Sequence, residues 1–309
     1  MSKTYVITGG AGFIGSNLAH TLAAREPDAD ITIIDDFRSG DFRNLEGFKG
    51  DLITADLSRV DLTPWFDDVK VDVVFHLASI TDTTDHDQYR QCHDNIEGWR
   101  NLLGTFTSKK TRIVYASSAA TYGIAAGINR VDQPQKPANV YAFSKVQLEN
   151  LARQWSRSNP KQAIIGLRFF NVYGPRETHK LKASSMILQL AQQMLAGKQP
   201  RIFTAGEQKR DFVYVNDIVD FMLAAARADI TSGVYNAGSG VARSFNDIVT
   251  NLNRVLNLNL PPEYIDNPYS FYQPHTEADL AETERALLTQ PAFTLETGID
   301  DYFASGWLK

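Results

Sequence analysis

The sequence predicts an α/β fold, a doubly wound parallel sheet with a smaller, interleaved C-terminal lobe. Three observations lead there. Apolar runs at 5-8, 31-34, 51-55, 71-75, 112-116 and 163-168 are separated, in most cases, by helix-length patterns of polar and apolar residues; that alternation belongs to a parallel sheet covered on both faces. The first run, Tyr5-Val6-Ile7, leads into Thr8-Gly9-Gly10-Ala11-Gly12-Phe13-Ile14-Gly15 and then the helical pattern Phe13, Ile14, Leu18, Leu22. The second, Ile31-Thr32-Ile33-Ile34, ends in Asp35, about twenty residues beyond the glycines.

Taken in order, the first element is a strand, a glycine turn and a helix. Glycine permits the tight turn and the close approach of backbone to a pyrophosphate, which sits on the partly positive helix N-terminus. Asp35 stands where an acidic side chain accepts hydrogen bonds from an adenosine ribose. Together these predict a dinucleotide-binding site of Rossmann type. The strand 71-75 runs into His76-Leu77-Ala78-Ser79, and Thr111 to Ala116 runs into Ser117-Ser118. Ligands of such sheets collect at the carboxyl ends of the strands, so Ser118 and the 76-81 loop should border the cofactor. Beyond about residue 175 the pattern turns to helices at 183-196, 216-228, 244-257 and 276-286, with strand-like runs Phe212-Val213-Tyr214-Val215 and Gly233-Val234-Tyr235-Asn236. The expected division is a dinucleotide-binding domain over 1-175, with parts of 212-236, and a mainly substrate-binding lobe over 176-309.

Composition bounds the partners. The chain has 309 residues, 43% of them hydrophobic, enough for a substantial core. A formal charge of -5 leaves no basic stripe for nucleic acid and no polybasic membrane surface. Cys92 is the one cysteine, which excludes an internal disulfide and a cysteine-clustered zinc site and fits a reducing compartment. A strand begins within a few residues of Met1 and no apolar run approaches ~18 residues, so the expected localisation is cytoplasmic.

Chemistry is concentrated in Tyr141-Ala142-Phe143-Ser144-Lys145. Residues four apart are neighbours on one helix face, and an ammonium beside a phenol favours the phenolate. Tyr141 is therefore a candidate proton shuttle. Converging with Ser118 beside a nicotinamide, Tyr141 and Lys145 would move a proton while the cofactor carries a hydride between a carbinol and a ketone. His76 has no second ligand at metal spacing and reads as a structural or cofactor-edge residue, with no metal expected. Asp217, ahead of Ile218-Val219, reads as a helix N-cap. Arg210 offers paired donors to a substrate diphosphate.

These blocks together resemble the extended short-chain dehydrogenase/reductase family, the nucleotide-sugar epimerases and dehydratases, over nearly the whole chain. The resemblance rests on Gly9 to Gly15, His76-Leu77-Ala78, Ser117 to Gly123, Tyr141 with Lys145, and Arg168-Phe169-Phe170-Asn171-Val172-Tyr173-Gly174-Pro175. A subgroup, the ADP-glycero-manno-heptose 6-epimerases, is resembled by Ala116 to Gly123, Gly174-Pro175-Arg176-Glu177 with His179-Lys180, Lys209 to Val215, and Tyr272 to Leu280. The resemblance implies transient oxidation at C6 of the sugar to a ketone, reorientation, and return of the hydride to the opposite face. It implies Lys180 as a second acid/base group, with the nearby Lys182 competing for that place. It further implies cofactor contacts at Gly9, Gly12, Phe13, Ile14, Gly15, Asp35, Asp36, Arg38, Leu77, Ala78, Ser79, Asn95, Tyr141, Lys145 and Val172. Substrate contacts are implied at Ser118, Asn171, Lys182, Gln189, Phe203, Arg210 and Tyr272. A homo-oligomer with contacts through 92-107 and 139-158 is implied as well. The cofactor is NADP by resemblance, Arg38 and Arg43 being placed for an extra phosphate; Asp35 alone favours NAD. In either case tight, non-exchanging binding is expected.

Three other readings compete. A 4,6-dehydratase would need an acidic pair where Ala119-Ala120 stand, so elimination lacks its general acid and base. A UDP-hexose 4-epimerase shares the Ser118-Tyr141-Lys145 group and cofactor but needs no Lys180. A dinucleotide-sensing regulator would keep the fold without the chemistry, against which the intact group of three argues.

Overall fold

The computed structural model describes residues 2-82, 87-106, 111-124, 127-203, 205-266 and 274-308. The first half of the chain contributes strands β1 (Thr4–Thr8), β2 (Asp30–Asp35), β3 (Asp51–Thr54), β4 (Val73–His76), β5 (Arg112–Ser118) and β6 (Gly127–Asn129). The second contributes β7 (Ile164–Phe169), β8 (Asn171–Tyr173), β9 (Arg201–Phe203), β10 (Lys209–Tyr214), β11 (Ser232–Ala237), β12 (Ala242–Ser244), β13 (Glu263–Ile265) and β14 (Thr276–Ala278). Helices are α1 (Phe13–Arg25), α2 (Thr63–Phe66), α3 (Gln88–Phe106), α4 (Val140–Ser158), α5 (Met186–Leu195), α6 (Val215–Arg227), α7 (Phe245–Leu256), α8 (Ala281–Leu287) and α9 (Leu295–Ala304).

Seven strands form a parallel sheet in the order β11-β7-β5-β4-β1-β2-β3. The chain runs outward from β1 to β3 and then returns to β4 on the other side of β1. The crevice beyond the carboxyl ends of β1 and β4 is thus the switch point at which such sheets bind ligands. Strand residues alternate between two buried faces: Tyr5, Ile7, Ile33 and Phe75 pack with Leu18 of α1 and Ile218 of α6, whereas Val6, Ile34, Val74 and Ile113 pack with Trp99 of α3 and Leu148 of α4. Each such fully buried side chain is worth roughly 1.5–3 kcal/mol, which fixes the register and with it the height of every strand end at the crevice.

The smaller lobe is built on β8, β10 and β12, with its own core from Ile187 and Leu190 of α5, Phe245 and Ile248 of α7 and Ile299 of α9. β11 lies between elements of this lobe in sequence yet forms the edge of the large sheet, so the two layers are interleaved. Two expectations are corrected. Residues 276-278, expected at the start of a helix, form β14, where Thr276 and Ala278 are buried and Glu277 is turned partly outward in parallel pairing with β6; this period of two overrides the helical pattern, and α8 starts only at Ala281. Asp217 is no N-cap: Tyr214 precedes the helix, and the Asp217 carboxylate accepts from the Ala292 and Phe293 N–H groups at 2.8 and 3.2 Å.

Candidate active site

At the switch point, the turn after β1 and the loop after β4 are pressed together. Gly9 has φ +70°, and a Cβ there would stand 2.6 Å from Ala78 N. A Cβ on Gly15 would stand 2.2 Å from Gly9 O. Only glycine allows this turn, and the turn delivers the start of α1 to the crevice. Gly12 caps α1 without a side-chain hydrogen bond, and the first turn carries no acidic residue. Its N–H groups and positive dipole end are therefore left for an anion. Asp35, at the end of β2, accepts from Ala11 N at 2.9 Å and Phe37 N at 2.8 Å; burial nevertheless raises its pKa, with Asp36 adding to the shift.

One cleft of about 680 Å³ runs from here across the sheet ends, and among its lining residues are Gly12, Asp35, Ser118, Tyr141, Lys145 and Lys180. The residues present fit a dinucleotide: a glycine cradle a side chain would fill, an uncapped helix start and a buried carboxylate at the far end. Two buried polar atoms on the cleft wall, Ser79 Oγ and His76 Nε2, have no partner among the described residues. His76 can be assigned a tautomer. Thr8 Oγ1 accepts from Leu77 N and Ala78 N at 3.2 Å each and so donates its own proton to His76 Nδ1 at 2.9 Å, leaving the ring proton on Nε2. Burial, with Lys145 adding to it, lowers the His76 pKa to about 3, so the ring is neutral. No group of three metal-ligating side chains occurs among the described residues.

Ser118 ends β5, and α4 brings Tyr141 and Lys145 to it. Asn139 caps that helix, its Oδ1 accepting from Ala142 N at 2.8 Å. The Ser118 hydroxyl accepts from Ala120 N at 3.1 Å and is hydrogen bonded to the Tyr141 phenol. Lys145 Nζ donates to Ala116 O at 2.9 Å and lies 5.7 Å from the centre of the Tyr141 ring. The expectation that Lys145 pulls the phenol down is not met in this geometry. Burial is the larger influence: it raises the Tyr141 pKa, opposed by the Ser118 hydrogen bond, and lowers Lys145 to about 7. The pair is thus a neutral phenol next to an amine that is readily deprotonated. One helical turn beyond Lys145, buried Glu149 accepts from Ser117 Oγ at 2.5 Å and Arg168 Nη2 at 2.8 Å, fastening α4 to β5 and β7.

Lys180 comes from the 3₁₀ turn Thr178–Ala183. Its Nζ lies 5.6 Å from the centre of the Phe13 ring on the cleft wall, and burial lowers its pKa, opposed by Glu177. Lys182, two residues on, is exposed and outside the cleft lining. The difference arises at Leu181, whose φ of 49° and ψ of -116° kink the turn between the two lysines.

The family model described as the NAD dependent epimerase/dehydratase family matches residues 5-238. The chain belongs to this family. It is 34% identical, over 96% of each chain, to an ADP-L-glycero-D-manno-heptose-6-epimerase from Brachyspira hyodysenteriae. Among solved structures, that of the Helicobacter pylori ADP-L-glycero-D-manno-heptose-6-epimerase superposes with a TM-score of 0.91 at 40% identity, covering 98% of this chain and 96% of that one. A UDP-N-acetylglucosamine 4-epimerase from Methanobrevibacter ruminantium M1, in complex with UDP-N-acetylmuramic acid, gives 0.89 at 27% identity over 99% of both chains.

Within this epimerase-family fold the remaining expected residues are placed unevenly. Gly9, Phe13, Ile14, Asp36, Arg38, Leu77, Ala78, Asn95 and Val172 line the cleft with those already described. Asn95 is occupied in holding Ile80, accepting from its N–H at 2.8 Å and donating to its oxygen at 3.1 Å. Arg38 is held by Asp36, Asp56 and Asp94 at 2.8, 2.6 and 2.7 Å, and Arg43, outside the cleft lining, by Asp41. Asn171, Gln189, Phe203 and Arg210 are not in the cleft lining. Asn171 and Gln189 donate to backbone oxygens of Asp211 and Ser184 at 3.2 and 2.8 Å. Asp211, beside Arg210, is buried and takes up N–H groups of Ser239, Gly240 and Ala278 at 2.6, 3.0 and 2.9 Å. Tyr272 lies outside the described residues. Sequence reasoning missed Thr8, Glu149 and Glu177; Glu149, four residues past Lys145, was the one with a spacing to find it by.

Among the described residues no helix is long and apolar enough to cross a membrane.

Proposed function

We propose that this protein inverts C6 of an ADP-glycero-manno-heptose by transient oxidation to the ketone and re-reduction on the opposite face. The observation that carries the reading is a single cleft lined by Ser118, Tyr141 and Lys145 from the sheet ends and α4 and by Lys180 from a separate turn. A bound nicotinamide supplies the acceptor and donor for the hydride. Ser118 orients the C6 oxygen. On one face Tyr141 takes the hydroxyl proton as its own proton passes toward the Lys145 amine, which ends as the ammonium. Once the flat ketone presents its other face, Lys180 exchanges the proton with the same oxygen. A lysine kept dry enough for a lowered pKa suits that task. A UDP-hexose 4-epimerase would have no use for Lys180 in the cleft, which is why the heptose reading is preferred.

For the cofactor, we propose NAD, tightly held. Arg38 is already met by three carboxylates, and Asp35 stands beside them, so a 2'-phosphate would bring more negative charge into an acidic, partly buried pocket. Denaturing the purified protein should release NAD; NADP in the supernatant, or an empty site with full dependence on added cofactor, would overturn this. A homo-oligomer through α3 and α4 belongs to the same reading; Tyr89 and Phe143 on these helices are exposed, and a monomer by light scattering would count against it.

The activity test is anion-exchange chromatography of the protein incubated with ADP-D-glycero-D-manno-heptose, UDP-glucose and UDP-N-acetylglucosamine, without added cofactor. The heptose alone should be converted, to its L-glycero epimer. Conversion of a UDP-sugar instead would keep the Ser118-Tyr141-Lys145 chemistry and reassign Lys180.

A further inference from the structure

We infer that Glu177 is the positioning residue of Lys180: its carboxylate closes the turn that carries the lysine and is the anion the lysine works against. This rests on the reading of Lys180 as the second acid/base group. Glu177 is wholly buried, and among the described residues its carboxylate has uncharged partners and no ion pair. Instead it gathers donors from both ends of the Lys180 turn. Gly174 N, before the turn, donates to its Oε1 at 3.2 Å; Ser185 N and Oγ, after the turn, donate at 2.6 and 2.7 Å. Tyr302 O–H of α9 adds a fourth contact at 3.3 Å. The Ser185 hydroxyl accepts from Leu188 N at 3.2 Å, so its proton is free for the carboxylate. Burial raises the Glu177 pKa, and the bonds donated by Ser185 and Gly174, with the Lys180 charge, oppose that shift and favour the carboxylate.

Between the clamped ends the backbone is held in conformations that non-glycine residues rarely adopt, φ 68° at Arg176 and 49° at Leu181. Such geometry costs energy and persists only where surrounding contacts hold it. Lys180 N also donates to Glu177 O at 3.0 Å. The charged and titratable groups around the lysine are few. Glu177 raises its pKa against burial. His179, whose own pKa is lowered by burial and by Lys180, bonds Asn44 Nδ2 at 3.1 Å with Asp41 and Arg43 behind it. Tyr141 lies elsewhere on the cleft wall, and Lys182 is turned to solvent. Removing the Glu177 charge therefore leaves Lys180 with burial alone and moves its deprotonation to lower pH.

The test compares wild type, Glu177→Gln, Glu177→Asp and Lys180→Ala for kcat, KM and pH profile of heptose epimerisation, with thermal melts and bound-cofactor content measured alongside. Glu177→Gln should lose kcat on the order of tenfold to a hundredfold, with KM changed by less than about twofold, and its alkaline limb should move to lower pH. Glu177→Asp, which keeps the charge but draws it back from the turn by one methylene, should lose part of the rate and shift that limb only part of the way. If the Gln variant does not fold, the Asp variant decides: a rate and profile identical to wild type overturn the inference. A folded Glu177→Gln enzyme with wild-type kcat and profile also overturns it, provided Lys180→Ala is inactive. Full activity in Lys180→Ala would instead strike the base assignment itself.

Discussion

Replacing Glu149 by Met should destabilise the protein more than any other single change in the helix that carries Tyr141 and Lys145. Glu149 and Arg168 are both almost wholly buried, bonded at 2.9 Å to Nε and 2.8 Å to Nη2, with Ser117 Oγ and Gln135 Nε2 each at 2.5 Å completing the carboxylate. Removing it leaves the guanidinium against the Tyr122 ring, 4.7 Å from its centre, with Val131 O accepting from it at 3.2 Å and no carboxylate beside it among the described residues. Breaking a buried pair by removing one partner costs about 3–5 kcal/mol, which converts to a fall in melting temperature of roughly 5–8 °C for a chain of 309 residues. The assay is thermal and urea unfolding of the cofactor-free protein for Glu149→Met, Arg168→Met and the double variant. Because the double variant leaves no orphaned charge, it should be more stable than the sum of the two singles by about 1–3 kcal/mol. A single variant melting within about 2 °C of wild type, or strictly additive losses, would refute the claim that this pair anchors α4 to the sheet.

Three further outcomes are expected. Gly15→Ala forces a methyl to 2.2 Å from Gly9 O; the protein should retain its far-UV circular dichroism but be purified without dinucleotide, and full cofactor occupancy would contradict the cradle. Lys145 titrates near 7 when folded and near its ordinary value when unfolded, so the unfolded chain binds the extra proton between those values and stability from this residue rises with pH across that window. In cofactor-free protein the stability advantage of Lys145→Met over wild type should accordingly be largest near pH 7 and shrink toward pH 10; an advantage independent of pH would contradict the shift. Tyr141→Phe and Lys180→Ala should each abolish net epimerisation, Lys180→Ala keeping exchange of hydride on one face, as read by transient cofactor absorbance at 340 nm.

The parts of the site written in local spacing were legible from the sequence. Tyr141 and Lys145 share a face because helical period puts them there, and Gly9, Gly12 and Gly15 announce a turn that no side chain could occupy. What spacing could not give is direction or partnership across the fold. Lys180 and Lys182 are equivalent in sequence until the kink at Leu181 sends one inward. Arg38 reads as a phosphate ligand until Asp56 and Asp94, brought from other segments, surround it. The Tyr141 phenol shifts opposite to the local expectation because burial, a property of the whole fold, outweighs the neighbouring amine. The short strand at Thr276 was hidden for the same reason: its pairing partner, β6, lies far away in sequence.

The most direct measurement follows C6 itself. ADP-D-glycero-D-manno-heptose carrying deuterium at C6 is converted by the enzyme in ordinary water, and the product is read by mass spectrometry and proton NMR. Oxidation and re-reduction by one bound nicotinamide predicts that the deuterium is retained at C6 of the inverted product, with no hydrogen taken from solvent. Loss of the label to solvent hydrogen would mean that the carbon is inverted by proton removal and return, and would contradict hydride transfer to and from a nicotinamide held in this cleft.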